Sequence, residues 1–360
     1  MKLSLATTWD NAYLDYLHEL DQRQHNIGSV FGSGAMSLLG SARPERSLPH
    51  VSLPEQKEHI ARARSYGFEF AYTVNAPCLG NIEFTPRGQK QVWQFFEKLC
   101  ELGVDWVVLS IPYLIEIVKR NFPQLKVKVS VINHINSIPG LRHYVALGVD
   151  AITLDWNVNR DFRFLKKAAA FGGVELELLA TDQCLYSCPF RLYHYNILGH
   201  TSQSRVETRA MYVDYPSIRC SLIKLSQPVE LIRSPWIRPE DLAAYESIGI
   251  HRFKLGSRTA DTARNMIMAQ AYSTQHYDGN LFELIFGPGI AYAIDNRKLD
   301  SFLNFFQKQT CYLNCGNCTY CSSIAEQMLE LTQPEALAKE TARFEQAFGQ
   351  LVTCDLYGTE

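Results

Sequence analysis

The sequence has no long apolar run and no excess of charge of either sign. No stretch is apolar for long enough to span a bilayer, and the segment 1–20, with Asp10 and Asp15, lacks the apolar core of a secretory signal. With 35 basic and 37 acidic residues the formal net charge is −2, so bulk basicity does not support nucleic-acid binding. These absences predict a cytoplasmic chain without a membrane span.

Familiar hydrolase motifs are missing too. The chain contains neither G-x-S-x-G nor H-E-x-x-H, so it has no familiar peptidase nucleophile or zinc-binding pair. It has no low-complexity segment and no internal repeat beyond a strand–helix unit. What it does have is ten cysteines in a chain without an export signal. That combination indicates a reducing compartment and metal or redox use.

Four of these cysteines are crowded into the segment CYLNCGNCTYC. Cys311, Cys315, Cys318 and Cys321 have the spacing C-x3-C-x2-C-x2-C. Thiols this close do not pair sensibly as disulfides, but they can converge on one metal centre or divide between two. Soft thiolates select zinc, copper(I) or iron–sulfur clusters, and unbroken runs at this spacing are typical of iron–sulfur proteins. We therefore predict a cluster, with zinc and unligated thiols as alternatives.

The first three members of this run, at C-x3-C-x2-C, have a spacing that resembles the radical SAM signature. That motif follows the first strand of a barrel, whereas this one follows the last predicted strand. Asn317 also stands where an aromatic residue is usual. Both differences argue against radical SAM chemistry.

A second thiol group comprises Cys184, Cys188 and Cys220. It lies in a long segment that follows a predicted strand, where insertions are more often functional than decorative. The alternative is a set of buried, inert cysteines. One cluster could draw ligands from both groups. Two clusters would need four thiolates each, and the two groups supply seven, so Cys78 or a non-cysteine ligand would complete the set.

The order of elements predicts a (β/α)8 TIM-like barrel. Strand, polar loop, helix and glycine alternate along the chain, which implies parallel strands joined by helical crossovers. Gly-Val-Asp at 103–105 and at 148–150, and Gly-Ile-His at 249–251, each read as the end of a helix leading into a strand. The eight predicted strands are 2–9, 27–31, 68–75, 104–110, 126–132, 151–154, 174–180 and 251–257.

The 360 residues fit one such barrel with an extension. We predict a barrel over 1–272, including a cysteine-bearing insertion after strand seven at 181–235. A helical, cysteine-rich extension is expected at 273–360.

Polar residues at the ends of the predicted strands are the candidate substrate groups, because the carboxyl ends of barrel strands form the active face. Lys254 and Arg258 are predicted to hold an anionic substrate, and His134 to act as an acid or base. For each of them the alternative is a hydrogen-bonded loop residue. The further candidates are Asn75, Ser110, Asn133, Asn136, Asp155, Asn157 and Asp182.

The segment from Val104 to about Tyr272 resembles the collagenase-like peptidase family, the U-32 group. The resemblance rests on linked motifs: KVSVINHINS, GVDAITLDWN, VELELLATDQCLYSC, IRCSLIK and HRFKLGSR. Several members of that family resemble iron–sulfur enzymes of oxygen-independent hydroxylation, acting on ubiquinone precursors or RNA bases and sometimes taking oxygen from prephenate. The resemblance implies that Cys184, Cys188 and Cys220 are cluster ligands; the Cys311–Cys321 quartet is an addition to the family pattern.

Three functions follow as hypotheses. The first is an iron–sulfur enzyme, with one or two clusters of the 4Fe-4S type, that hydroxylates a small aromatic or RNA-linked substrate or performs a related redox group transfer. The second is a U-32-type peptidase. The third is a non-catalytic iron–sulfur or zinc subunit that serves a related protein partner. An open pocket lined by strand-end polar residues would favour an enzyme over the accessory subunit.

Overall fold

Eight short parallel strands pair in sequence order, and the last pairs with the first, which closes a barrel. The computed structural model describes residues 1–34, 37–207, 213–256, 258, 260–308, 311 and 315–354. The predicted TIM-like fold is confirmed. The strands are β1 (Lys2–Ala6), β2 (Ile27–Gly32), β3 (Glu69–Val74), β4 (Trp106–Leu109), β5 (Lys126–Val129), β6 (Ala151–Thr153), β7 (Glu175–Leu179) and β8 (Arg252–Leu255).

One α-helix follows each of the first six strands and covers the outside of the barrel. These helices are α1 (Asn11–Gln24), α2 (Leu53–Ser65), α3 (Pro86–Glu101), α4 (Pro112–Asn121), α5 (Ile138–Ala146) and α6 (Phe162–Phe171). The insertion after β7 contains α7 (Arg191–His200), α8 (Tyr215–Ser226) and α9 (Val229–Arg233), and α10 (Leu242–Glu246) leads into β8.

After β8 the chain forms α11 (Thr262–Thr274), α12 (Leu281–Phe286), β9 (Tyr292–Ala293), α13 (Asn304–Gln307), α14 (Tyr320–Met328), β10 (Glu330–Leu331) and α15 (Pro334–Val352). The strands β9 and β10 form a small antiparallel sheet. In the described residues no helix is both long enough and apolar enough to cross a membrane.

Local sequence signals account for the helix boundaries. Ser52 accepts from the backbone of Glu55, whose carboxylate accepts from the Ser52 backbone, and this capping box begins α2. The glycines of the recurring tripeptides, Gly103, Gly148 and Gly249, have φ of 78°, 74° and 92°, in the left-handed region that side chains disfavour. Each ends a helix before a barrel strand, as predicted.

The barrel interior is partly polar. A small apolar cluster contains Phe31, Trp106 and Val108, whereas the larger core lies between the strands and the outer helices. Lys128 and Glu177, 2% and 0% exposed, form an ion pair inside the barrel. Thr153 donates to the second carboxylate oxygen of Glu177 at 2.8 Å. A polar floor of this kind lies beneath the mouth formed by the carboxyl ends of the strands.

The insertion and the C-terminal extension pack against each other. The aromatic rings of Tyr215 on α8 and Phe348 on α15 have centroids 6.4 Å apart, and the guanidinium of Arg219 lies 4.4 Å from the Phe348 ring. Helix α14 packs on α9. The extension therefore reaches back to the segment that carries Cys220.

Candidate active site and thiol groups

A cavity of about 510 Å³ opens at the carboxyl ends of the barrel strands, under the insertion. The strand-end residues Asn75, Asp182, Lys254 and Arg258 line it, as do Cys184 and Cys188. The open pocket expected for an enzyme is therefore present, and both charged groups and thiols line it. Its remaining ionisable lining residues include Arg43, Arg46, Arg191, His194 and Asp214.

Cationic side chains dominate the lining of this cavity. Arg258 is buried and donates a hydrogen bond to Oγ of Ser33, the residue that directly follows β2. Burial, together with the neighbouring Arg43, lowers the pKa of Arg258, but a guanidinium remains charged at neutral pH. Arginine forks match carboxylates and phosphates. The mouth is therefore suited to an anionic substrate.

Arg191 is held by three kinds of contact at the first position of α7. Its guanidinium donates to Asp155 Oδ1 at 2.7 Å and to the Val131 carbonyl at 3.2 Å. It also lies 3.5 Å from the centroid of the Trp156 ring. These contacts fix the start of the insertion to the loops after β5 and β6.

Lys254 lies on β8 with its Nζ 3.9 Å from the centroid of the Phe31 ring. Burial and the neighbouring cations Lys128, Arg258 and Arg43 lower the pKa of Lys254 to about 7, although Glu177 acts in the opposite direction. A substantial fraction of this amine is therefore neutral at physiological pH.

Cys184, Cys188 and Cys220 lie within electrostatic reach of one another, and all three are free thiols. Burial raises the pKa of Cys184 well above its ordinary value, and the charge of Asp182 adds to this effect, while Lys224 opposes it. The backbone of Phe190 hydrogen-bonds Cys188 and partly offsets the rise in its pKa that burial causes. The structure thus brings together the thiols of two elements separated in sequence, the loop after β7 and α8.

Three thiols of the extension line a separate, smaller cavity of about 30 Å³. Cys311, Cys315 and Cys321 face it together with Tyr186 and Arg233 of the insertion. Burial raises the pKa of Cys321, and the nearby Arg160 offsets only part of this rise, so that the pKa is about 11. Because Tyr186 lies between Cys184 and Cys188 in sequence, one short loop borders both cavities.

The chemistry of the donor sets fits a thiophilic metal centre, since each set brings several thiols and at least one cation into one region. In the described ranges, however, no three His, Cys, Asp or Glu side chains are arranged as a ready-made metal site. Cys318 is half-buried and does not face the smaller cavity. The ligands of any cluster thus stay a prediction.

Two imidazoles near the mouth differ in position. His134 Nδ1 is 3.8 Å from Asp155 Oδ2, beside the Arg191 contact, and its side chain is not part of the described cavity lining. His194 does line the cavity, and its Nε2 lies 3.2 Å from Asp214 Oδ1. The acid–base role predicted for His134 stays a prediction, and His194 is a better-placed imidazole.

A hydroxyl–imidazole–amide chain also occurs in the fold. Thr7 Oγ1 is 2.9 Å from His59 Nε2, and His59 Nδ1 is 2.7 Å from Asn11 Oδ1. Thr7 and His59 are each 1% exposed, and burial lowers the pKa of His59 to about 4. None of the three residues faces either described cavity. This chain is therefore a packing feature rather than a nucleophilic site.

Sequence analysis did not single out Arg43 or Arg191. Arg43 lies in the long loop after β2. Loops that follow barrel strands lie at the active face, and this general rule is the one signal that could have identified Arg43 from the sequence. Arg191 carries no such signal, because it begins a helix within the insertion.

The fold and this mouth define a class: a (β/α)8-barrel protein with a cationic, thiol-bearing cavity at the carboxyl ends of its strands. The model of peptidase family U32 matches residues 45–205. An uncharacterized protease of Methanocaldococcus jannaschii is 32% identical over 301 residues, which are 83% of this chain and 88% of that protein. The chain belongs to peptidase family U32.

A solved structure supports the fold. The U32 peptidase Mk0906 superposes with a TM-score of 0.52 at 20% identity, covering 71% of this chain and 93% of that one. At this level of identity the likeness shows the fold alone.

Proposed function

We propose that this chain is an iron–sulfur enzyme that performs oxygen-independent hydroxylation, or a related redox group transfer, on a small aromatic or RNA-linked substrate bearing a negative charge. The observation that carries the proposal is that Cys184 and Cys188 line the same cavity as Arg258, Arg43 and Arg191. The proposed thiol ligands and the anion-binding groups thus face one cavity. An accessory subunit would have no need for such a cavity.

A cluster bound by Cys184, Cys188 and Cys220 would supply or accept electrons next to the substrate. The rest of the chemistry falls to the chain's own groups. The arginines orient the anion, and the insertion limits the access of water. Burial raises the pKa of Asp182, so this carboxyl is suited to donating a proton in the cavity.

The extension would hold a second metal centre through Cys311, Cys315, Cys318 and Cys321. Arg160 and Arg233 favour thiolates at this site, because their positive charge offsets the negative charge of a thiolate-rich complex. Zinc is the alternative to iron here, and metal analysis distinguishes them. A partner subunit is a further possibility for this centre, as a donor of electrons.

Metal analysis of protein purified without oxygen tests the proposal. We expect about four irons and matching sulfide per chain for one cluster and about eight for two. Cys184→Ala and Cys188→Ala should remove the iron of the barrel mouth, and Cys315→Ala and Cys321→Ala the metal of the extension. Cys354→Ala is the matched control, because this thiol is exposed and outside both cavities. Unchanged iron in both Cys184→Ala and Cys188→Ala would refute the ligand assignment.

A peptidase is the second candidate, and a specific arrangement favours it. Cys188 lies just before α7 in a cavity that also contains His194 beside Asp214. A thiol with an imidazole–carboxylate pair is the composition of a cysteine nucleophile and its base. The relative from M. jannaschii is also named a protease.

Gelatin and casein digestion separate the two candidates. A peptidase predicts cleavage by the wild-type protein and its loss in His194→Ala, with iron unaffected in that variant. The iron–sulfur proposal predicts no cleavage by either protein and loss of iron only in the cysteine variants.

A further inference from the structure

Among the described residues, Lys254 is the one lysine that lines the mouth cavity, and its surroundings are unusual for a charged group. It lies on β8, between the strands that carry Glu177 and Ser4. Its Nζ faces the Phe31 ring at 3.9 Å, and its side chain lines the cavity. A substrate in the cavity would therefore meet this amine directly.

The carboxylate nearest to Lys254 is already occupied. Glu177 accepts from Lys128 on one oxygen and from Thr153 on the other, at 2.8 Å for the latter. In the described part of the chain no carboxylate forms an ion pair with Lys254 Nζ. The other charged groups that act on it are Lys128, Arg258 and Arg43, all of them cations.

This arrangement keeps the amine reactive. Desolvation and three like charges outweigh the attraction of Glu177 and bring the pKa of Lys254 to about 7. Lysines activated in this way, by burial and by a cationic neighbour, are the ones that attack carbonyl groups. An ordinary surface lysine is protonated at the same pH and unreactive.

We propose that Lys254 forms an imine with the ketone of a 2-oxo acid whose carboxylate is bound by Arg258 and the other arginines of the cavity. The Nζ lone pair adds to the carbonyl carbon, and the carbonyl oxygen takes a proton to give a carbinolamine. Loss of water, with the remaining amine proton, then forms the C=N bond. The balance is amine plus ketone to imine plus water, and it requires no oxidant or reductant.

The other walls of the cavity indicate what such a substrate carries beyond its oxo-acid group. Phe31, Trp156, Tyr195 and Leu198 line the same space. These apolar and aromatic surfaces suit an aliphatic or aryl side chain on the 2-oxo acid. The inference rests on the proposed function only for the location of the substrate; it does not require a cluster.

Reductive trapping tests the imine. The full-length protein is incubated with pyruvate or phenylpyruvate and cyanoborohydride at pH 7, and the adduct is located by peptide mass mapping. We expect one reduced adduct per chain on Lys254, and a trapping rate that rises with pH around pH 7. The Lys254→Met variant should lose this adduct, and the control Lys126→Ala, which removes an exposed lysine, should keep it.

Two further measurements keep the test independent of folding. Arg258→Gln retains Lys254 but removes one of the cations that lower its pKa, so it should slow all trapping at pH 7. Trapping of pyruvate should nevertheless fall at least tenfold more than trapping of acetaldehyde, which has no carboxylate for Arg258 to bind. Lactate, which has the carboxylate but no ketone, should compete without labelling. Adducts spread over exposed lysines, or equal labelling in Lys254→Met, would overturn the inference.

Iron content measured on the same samples separates this inference from the proposed function. A wild-type protein that contains iron but gives no adduct would refute the imine and leave the iron–sulfur proposal standing. An adduct on Lys254 in a protein without iron would do the reverse.

Discussion

Arg191 and Asp155 form an ion pair, 2.7 Å between Nη1 and Oδ1, that ties the insertion to the loop after β6. Both side chains are almost fully buried, at 7% and 2% exposure. Asp155 also accepts from the Asn157 backbone at 2.9 Å, and Arg191 covers the Trp156 ring. The pair therefore fixes the start of α7 over the mouth.

Replacing Arg191 by Met should destabilise the protein by about 3–5 kcal/mol, because it leaves a buried carboxylate without its cation. Urea unfolding measures the change in the free energy of unfolding. The control is Arg120→Ala, which removes an exposed pair with Glu116 and should cost less than about 1 kcal/mol. Equal effects of the two substitutions would show that the Arg191 pair has no structural weight.

The same carboxylate predicts how stability depends on acid. Although burial opposes it, His134, whose Nδ1 lies 3.8 Å from Oδ2, and the charge of Arg191 lower the pKa of Asp155. A carboxyl group whose pKa is lower in the folded state stabilises the protein above its unfolded pKa, and that contribution is lost as the pH falls through the folded value. The Asp155→Asn variant should therefore lose less stability than the wild type as the pH falls below the ordinary pKa of an aspartate. An unchanged acid profile in Asp155→Asn would contradict this attribution.

The barrel was predictable because its signals are local. Each strand is a short run rich in apolar residues, in some strands alternating with charged ones, and glycines such as Gly103 and Gly148 mark where helices end. The mouth was only partly predictable. Lys254 and Arg258 follow from their place at the end of a strand, but Arg191 reaches the cavity through the path of a helix in the insertion. Similarly, the backbone turn at Ser187, with φ of 53°, directs Tyr186 and Cys188 to different cavities, and no sequence pattern encodes it.

Removing the charge of Arg258 should weaken the binding of anions at the mouth. Hydrogen bonds to a charged group contribute about 1.5–3 kcal/mol, so Arg258→Gln should raise the dissociation constant of a carboxylate ligand roughly 10- to 100-fold. Isothermal titration with phenylpyruvate or phenyllactate measures it. Arg120→Ala again serves as the control, and equal affinity in both variants would place the anion elsewhere.

Burial predicts the order in which the thiols react once metal has been removed. Cys78, Cys315 and Cys354 are exposed, whereas burial raises the pKa of Cys184 well above its ordinary value and that of Cys321 to about 11. Because the thiolate is the reactive form, iodoacetamide should label the exposed group first at pH 7.5. Peptide mapping over time tests the order, and metal should protect Cys315 but not Cys78 or Cys354. Early labelling of Cys184 would contradict the buried position of this thiol.

The ion pair beneath the cavity should show strong coupling between its two members. Glu177→Gln leaves Lys128 buried without its carboxylate and should destabilise the protein by about 3–5 kcal/mol, whereas the double variant Lys128→Met/Glu177→Leu should recover most of that loss, since it removes both buried charges. Glu177 is also the group that favours the charged form of Lys254. Glu177→Gln should therefore lower the pKa of Lys254 and shift the pH dependence of imine trapping to lower pH. Urea unfolding of the wild type, the single variants and the double variant measures the coupling, and trapping rates across pH measure the shift of the Lys254 pKa. An unshifted trapping profile would show that Glu177 does not influence the protonation of Lys254.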